Sequence, residues 1–195
     1  MMKRLLLLVT LSMFSGVLMA QWAVNVNYNL WMPTGKYNSE LKMGFLGANV
    51  EAKYIFDDHL AGSIGVGYAL LNYETVRIDR VERPAEGYSD NAALQIIPIT
   101  IGADVYFSTA KVRPYLDLDF GVAMVKTTGD NLPETDMTAN TFLSPGFGIE
   151  YELSDGLKLN GVLKQQVLIY KYDDRAKYLE TFTAVGINLG VTYKF

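Results

Sequence analysis

The chain's single histidine, His59, follows Asp57-Asp58 and lies four residues before Ser63. A histidine beside a hydroxyl or carboxylate can shuttle a proton or activate a nucleophile. No third group is placed to orient this pair, so a solvated turn is the stronger reading. It is also the stronger reading for the same three polar residues as metal ligands. Gly65-Val66-Gly67 and Gly146-Phe147-Gly148 lack the following helix that a phosphate cradle needs. The acidic stretch from Gly129 to Asp136 lacks calcium-loop spacing. With no cysteine, there is no disulfide, thiolate metal site or lipidated N-terminal cysteine. The sequence therefore predicts a protein that is not an enzyme and carries no metal or cofactor.

A second set of chemistry-bearing residues remains: Glu51, Lys53, Asp104, Asp117, Asp119, Glu150, Glu152, Lys158, Lys164 and Lys194. Each sits in a run where apolar and polar residues alternate, and each falls on the polar side. A period of two is the signature of a β-strand with one greasy and one wet face. The clearest run is the last one. Val185, Ile187, Leu189, Val191, Tyr193 and Phe195 alternate with Ala184, Gly186, Asn188, Gly190, Thr192 and Lys194.

Seven further runs follow the same rule. Trp22, Val24, Val26, Tyr28 and Leu30 oppose Asn25, Asn27 and Asn29. Leu46 to Phe56 and Leu60 to Leu70 carry apolar residues at even positions. Ile97 to Phe107 carries them at odd positions, Leu116 to Met124 at even, and Leu143 to Leu153 at odd. The run from Leu157 to Ile169 is the least regular, because Gln165 falls on its apolar side. Short turns at Asp57-Asp58, Ser108 to Arg113 and Ser154-Asp155-Gly156 have suitable turn chemistry. The other connections, roughly residues 33–44, 72–93, 127–140 and 171–181, are longer and more polar. Together these predict an all-β, eight-stranded, antiparallel, up-and-down transmembrane β-barrel, with residues 22–30 pairing with the last run to remove both sheet edges.

The first twenty residues stand apart. Lys3 and Arg4 precede an apolar stretch from Leu5 to Met13, and Leu18-Met19-Ala20 offers a cleavage point before Gln21. This reads as a signal peptide over 1–20 and one domain over 21–195. Removing Lys3 and Arg4 leaves 15 basic against 21 acidic residues, a net charge of −6, which disfavours nucleic acid as a partner.

Parity alone does not say which face is inward, and a lipocalin-like soluble barrel would turn its apolar face in. The ten ionisable residues on one face argue the reverse. The aromatics argue likewise: Trp22, Tyr54, Phe56, Phe107, Tyr151, Tyr193 and Phe195 gather towards one rim. Trp31, Tyr73, Phe142, Tyr170 and Phe182 lie towards the other, as two headgroup girdles would.

With these features the chain resembles the small outer-membrane β-barrel family of the OmpA-transmembrane-domain and OmpX type. The resemblance rests on the signal segment, the eight runs, Gln95-Ile96-Ile97-Pro98-Ile99 followed by Arg113-Pro114-Tyr115-Leu116, and the ending Val191-Thr192-Tyr193-Lys194-Phe195. It implies a location in the outer membrane of a Gram-negative bacterium. It also implies that Tyr193 and Phe195 form the signal read by the barrel-assembly machinery, with outer-membrane lipids and lipopolysaccharide as partners.

Eight strands enclose an interior that side chains fill. Strand direction puts most of the ten charges in the periplasmic half and only Lys164, with Gln166, near the middle. The sequence thus predicts a charged plug of six carboxylates against four lysines. Gly65, Gly67, Ala69, Gly121, Ala123, Gly146, Gly148, Ala184 and Gly186 would line the outer half, their space filled by Val162, Leu168 and Gln166. Val76-Arg77-Ile78 predicts a hairpin extended above the membrane. The favoured function is a monomeric structural or interaction protein that presents loops 72–93 and 171–181 outward, in envelope integrity or adhesion. The competing one is a narrow ion channel or a transporter of small hydrophobic molecules.

Overall fold

The structure is a computed structural model that describes residues 21–35, 40–78, 81–84, 92–129, 136–171 and 179–195. The signal segment, and residues 172–178 of the last long connection, lie outside the described residues.

Eight long strands form the closed sheet: β1 Trp22–Thr34, β2 Leu46–Ile55, β3 Leu60–Asn72, β6 Ala93–Tyr106, β7 Val112–Thr128, β8 Thr138–Ser154, β9 Leu157–Lys171 and β10 Leu179–Lys194. Two short strands, β4 Thr75–Ile78 and β5 Val81–Pro84, form a separate antiparallel pair between β3 and β6. This is the extended hairpin that the Val76-Arg77-Ile78 alternation predicts.

Each long strand pairs antiparallel with its neighbours, and the order closes from β2 through β1 to β10. The closing ladder runs from Ala23↔Lys194 to Thr34↔Thr183, further than the expected pairing over 22–30. Closure satisfies every edge of the sheet internally, which lipid requires because it offers no hydrogen bonds. The Phe195 amide also donates to the Trp22 carbonyl at 3.0 Å, tying the two ends of the barrel together.

The short turns share one rim. At the β2–β3 turn the Asp57 carboxylate accepts from the His59 and Leu60 amides at 2.7 and 2.9 Å, so a short polar side chain fixes the bend. In the β9 approach Gly156 has φ +83°, a left-handed conformation that favours glycine.

Outward positions form a continuous apolar belt, with Ile64, Ile101, Phe120, Phe147, Leu163 and Leu189 all at least half exposed. A soluble monomer rarely exposes an apolar patch of this extent. Strands of 10 to 17 residues meet or exceed the ~9–11 that a tilted strand needs to cross a bilayer. Gln165 faces this belt as an exception, and its amide donates to the Ala184 carbonyl at 3.3 Å. The misfit in the pattern is thereby satisfied locally.

Candidate functional site: a filled lumen

Inward positions divide the lumen into a polar part and an apolar part. On the short-turn side, Lys53 of β2 donates to Asp104 of β6 at 2.7 Å. Lys158 of β9 donates to Glu150 of β8 at 2.7 Å, and Arg113 of β7 approaches the same carboxylate at 3.7 Å. Tyr106 stands between these pairs and reaches Asp104 and Glu150 at 3.5 and 3.4 Å. Lys53 lies 5.7 Å from the Tyr115 ring centre and Arg113 4.2 Å from that of Tyr106, distances at which a cation is attracted to a ring face.

Deeper in, Lys164 bonds Asp117 at 2.8 Å and Asp119 at 2.6 Å. Glu51 accepts from Asn25 at 2.9 Å, and Asn25 in turn accepts from Asn160 at 2.7 Å and Thr192 at 3.2 Å. An uncompensated charge is costly away from water, so such an interior is stable only when its members partner one another.

The structure thus brings together eight of the ten predicted ionisable residues: Glu51, Lys53, Asp104, Asp117, Asp119, Glu150, Lys158 and Lys164, all buried. The other two lie nearer the short-turn rim and are less deeply placed. Glu152 is half-buried and pairs in register with Lys158, the last regular pair before a register irregularity at the strand end. Lys194 is exposed at the short-turn rim, where it still lines a lumen cavity with Lys53, Glu150 and Lys158. Arg113, Tyr106 and Tyr115 are further members that the prediction did not include. Their signal was available, since Tyr106 and Tyr115 share the parity of Asp104 and Asp117 two residues away, and Arg113 that of Asp117 four residues away.

Glycines on the inward face make room for these long side chains. A Cβ at Gly148 would fall 2.4 Å from the Tyr115 ring, and one at Gly146 2.8 Å from Cγ of Lys164.

Towards the long-loop rim the interior is apolar. Trp31, Leu71, Ile96, Phe142, Leu168 and Phe182 are almost wholly buried in one cluster, with the Trp31 and Phe142 rings stacked 6.2 Å apart. Trp31, Phe142 and Phe182 therefore belong to an internal plug and not to the second lipid-facing girdle. The cause is parity: Trp31 shares the side of Asn29, Phe142 that of Ser144, and Phe182 that of Ala184. Leu168 fills this region as expected. Leu41, from the β1–β2 connection, folds in beside it. Tyr73 packs against the plug from above the strand, and burial raises its phenol above the ordinary value. The girdle at the short-turn rim is present, with Trp22, Phe56, Phe107, Tyr151, Tyr193 and Phe195 exposed outside.

His59 does not assemble a catalytic group. Its Nδ1 hydrogen-bonds the Tyr106 carbonyl at 2.9 Å, making it a clasp between neighbouring rim segments. Among the described residues, no group of three or more His, Cys, Asp or Glu side chains could hold a metal ion.

Comparison with known proteins places this architecture. Among solved structures, Neisserial surface protein A shares the fold with a TM-score of 0.65 at 14% identity, over 90% of this chain and 97% of its own. The attachment invasion locus protein Ail of Yersinia pestis gives 0.52 at 15% identity, over 89% of this chain and 97% of its own. OprG of Pseudomonas aeruginosa gives 0.52 at 12%, over 91% and 97%. At these identities the likeness is one of fold. No curated protein matches the sequence. The family described as outer membrane protein beta-barrel domain matches residues 5–195. With its closed eight-stranded sheet, apolar exterior and filled polar interior, this chain belongs to the outer-membrane protein β-barrel domain family.

Proposed function

We propose that the protein is a closed outer-membrane scaffold of a Gram-negative bacterium, which displays its long loops outward and serves an interaction or envelope-integrity role. The observation that carries this reading is the double filling of the lumen. An ion-paired network occupies the short-turn side, and the plug around Trp31, Phe142 and Phe182 occupies the long-loop side. A conduit would need a continuous hydrated path, whereas two cavities in the lumen measure about 30 and 20 Å³.

On this reading residues 1–20 are a signal peptide cleaved between Ala20 and Gln21. The short-turn rim faces the periplasm. Tyr193 and Phe195 hand the chain to the barrel-assembly machinery, and the monomer then sits among outer-membrane lipids and lipopolysaccharide. The protein catalyses no reaction, which fits the engagement of His59 by a backbone carbonyl. Loops 72–93 and 171–181 carry the contacts with an outside partner, and β4–β5 gives the first of these a strand edge, the element that strand-addition partners use.

Deletion of residues 74–92 tests the proposal in cells. Adhesion or surface integrity is expected to fall while permeability to small solutes stays unchanged. Altered permeability with intact adhesion would favour the transport reading and overturn this one.

A further inference from the structure

Between the apolar plug and the Lys164 ion pairs lies a cavity of about 30 Å³. The side-chain carbonyl oxygens of Asn29, Asn49, Gln166 and Asn188 and the hydroxyl of Ser144 are on residues lining it, and each of these atoms is buried without a hydrogen-bond partner, as is one donor, the Trp31 indole N–H. Asn29, Ser144, Gln166 and Asn188 are no more than 5% exposed. Buried acceptors left unmatched are costly, so a cluster of them around one cavity points to something that satisfies them.

The charge around the cavity gives the sign of that ligand. Glu51 and Asp119 line the cavity, and the lining Lys164 ammonium is shared between Asp119 and the neighbouring Asp117. Lys53 approaches Glu51 only at 3.6 Å and bonds Asp104 at 2.7 Å. The region is therefore negative as well as rich in acceptors. The available donors of electron density are neutral amide and hydroxyl oxygens with one or two carboxylates. Hard cations accept such ligands, whereas softer metals call for thiolate or imidazole. A volume of about 30 Å³ suits a single small ion or one to two waters.

We propose that this chamber binds one small hard metal cation through the side-chain oxygens of Asn29, Gln166 and Asn188, with Glu51 and Asp119 supplying the negative field. The ion would join the plug to the ionic network and contribute to barrel stability.

The test uses the full barrel, refolded into lipid bilayers, with folding read from heat-dependent gel migration. Unfolding midpoints are compared in sodium chloride, calcium chloride and N-methyl-D-glucamine chloride at equal ionic strength and pH. The organic cation is too large to enter the chamber. Sodium or calcium is expected to raise the midpoint by roughly 2–4 °C, and Asn188→Leu, Gln166→Leu and Glu51→Gln are each expected to shrink that rise. Identical midpoints in all three salts would show that water alone fills the chamber and would overturn the proposal. A rise that persists undiminished in the variants would place the ion elsewhere, with the same consequence. If the leucine variants fail to fold, the sodium and calcium content of the unmodified protein after exchange into the organic salt decides the matter. About one ion per chain, reduced in Glu51→Gln, is expected, and none contradicts the proposal.

Discussion

Lys164 of β9 bonds Asp119 of β7 at 2.6 Å although β8 lies between their strands. The contact is possible because β8 presents Gly146 at that point, paired in register with Lys164 on one side and Asp117 on the other. A side chain at 146 would occupy the path of the lysine stem. The sequence feature that looks like weakness in a strand, a glycine, is here what lets a charge reach past the intervening strand.

Lys164→Met should therefore destabilise the barrel strongly. Losing one member of a buried ion pair typically costs about 3–5 kcal/mol, because the remaining charge is left without a partner. Here two carboxylates are stranded. The triple change Lys164→Met, Asp117→Leu and Asp119→Leu should recover much of the loss, since no charge then remains unmatched. Urea unfolding from lipid bilayers measures both, and equal loss in the single and triple variants would contradict the assignment.

The approach of Gly148 to Tyr115 leads to a second outcome. Gly148→Val places carbon where the tyrosine ring lies, and overpacking of this kind costs about 1–3 kcal/mol. Removing the ring with Tyr115→Ala should make the valine easier to accept. A double-mutant cycle is expected to show coupling between the two sites, and strict additivity would show that they do not collide.

How much of this was legible in the sequence depends on which signal is followed. Alternation alone located all eight barrel strands, and the shared parity of the ionisable residues identified the inner face. Parity also pointed Trp31, Phe142 and Phe182 inward. An expectation that aromatics near a strand end belong to a lipid girdle overrode it, and the plug was missed. Glu152 and Lys194 lie shallower than the rest for another reason. A period of two assigns a face but not a depth, and at a strand end the inward face already meets water. The cross-lumen partners were not legible, because register and tilt, not spacing along the chain, decide which side chains meet.

The plug makes its own prediction. Trp31→Ala, which by analogy with core truncations costs about 3–5 kcal/mol, should also open the long-loop side. The chain contains no cysteine, so a single Asn188→Cys reports on access without competing thiols. Its labelling by a small charged thiol reagent added from outside should be slow in the otherwise unchanged barrel and faster by an order of magnitude or more with Trp31→Ala. Rapid labelling in both would mean that the plug does not seal.

The outer face can be tested by depth. Leu189 is 56% exposed within the apolar belt, and Phe195 is 62% exposed at its rim. Leu189→Arg should cost about 2–4 kcal/mol, as a cation near the bilayer midplane does, and Phe195→Arg about 0–1 kcal/mol, as one near the interface does. Equal small costs at the two positions would be the behaviour of a water-facing surface.

The central claim is that side chains close the lumen, and single-channel recording on the purified barrel in planar lipid bilayers tests it most directly. A quiet baseline is predicted for the unaltered protein. Reproducible discrete conductance steps, abolished by denaturation and altered by substitution at Lys164 or Trp31, would contradict a closed scaffold.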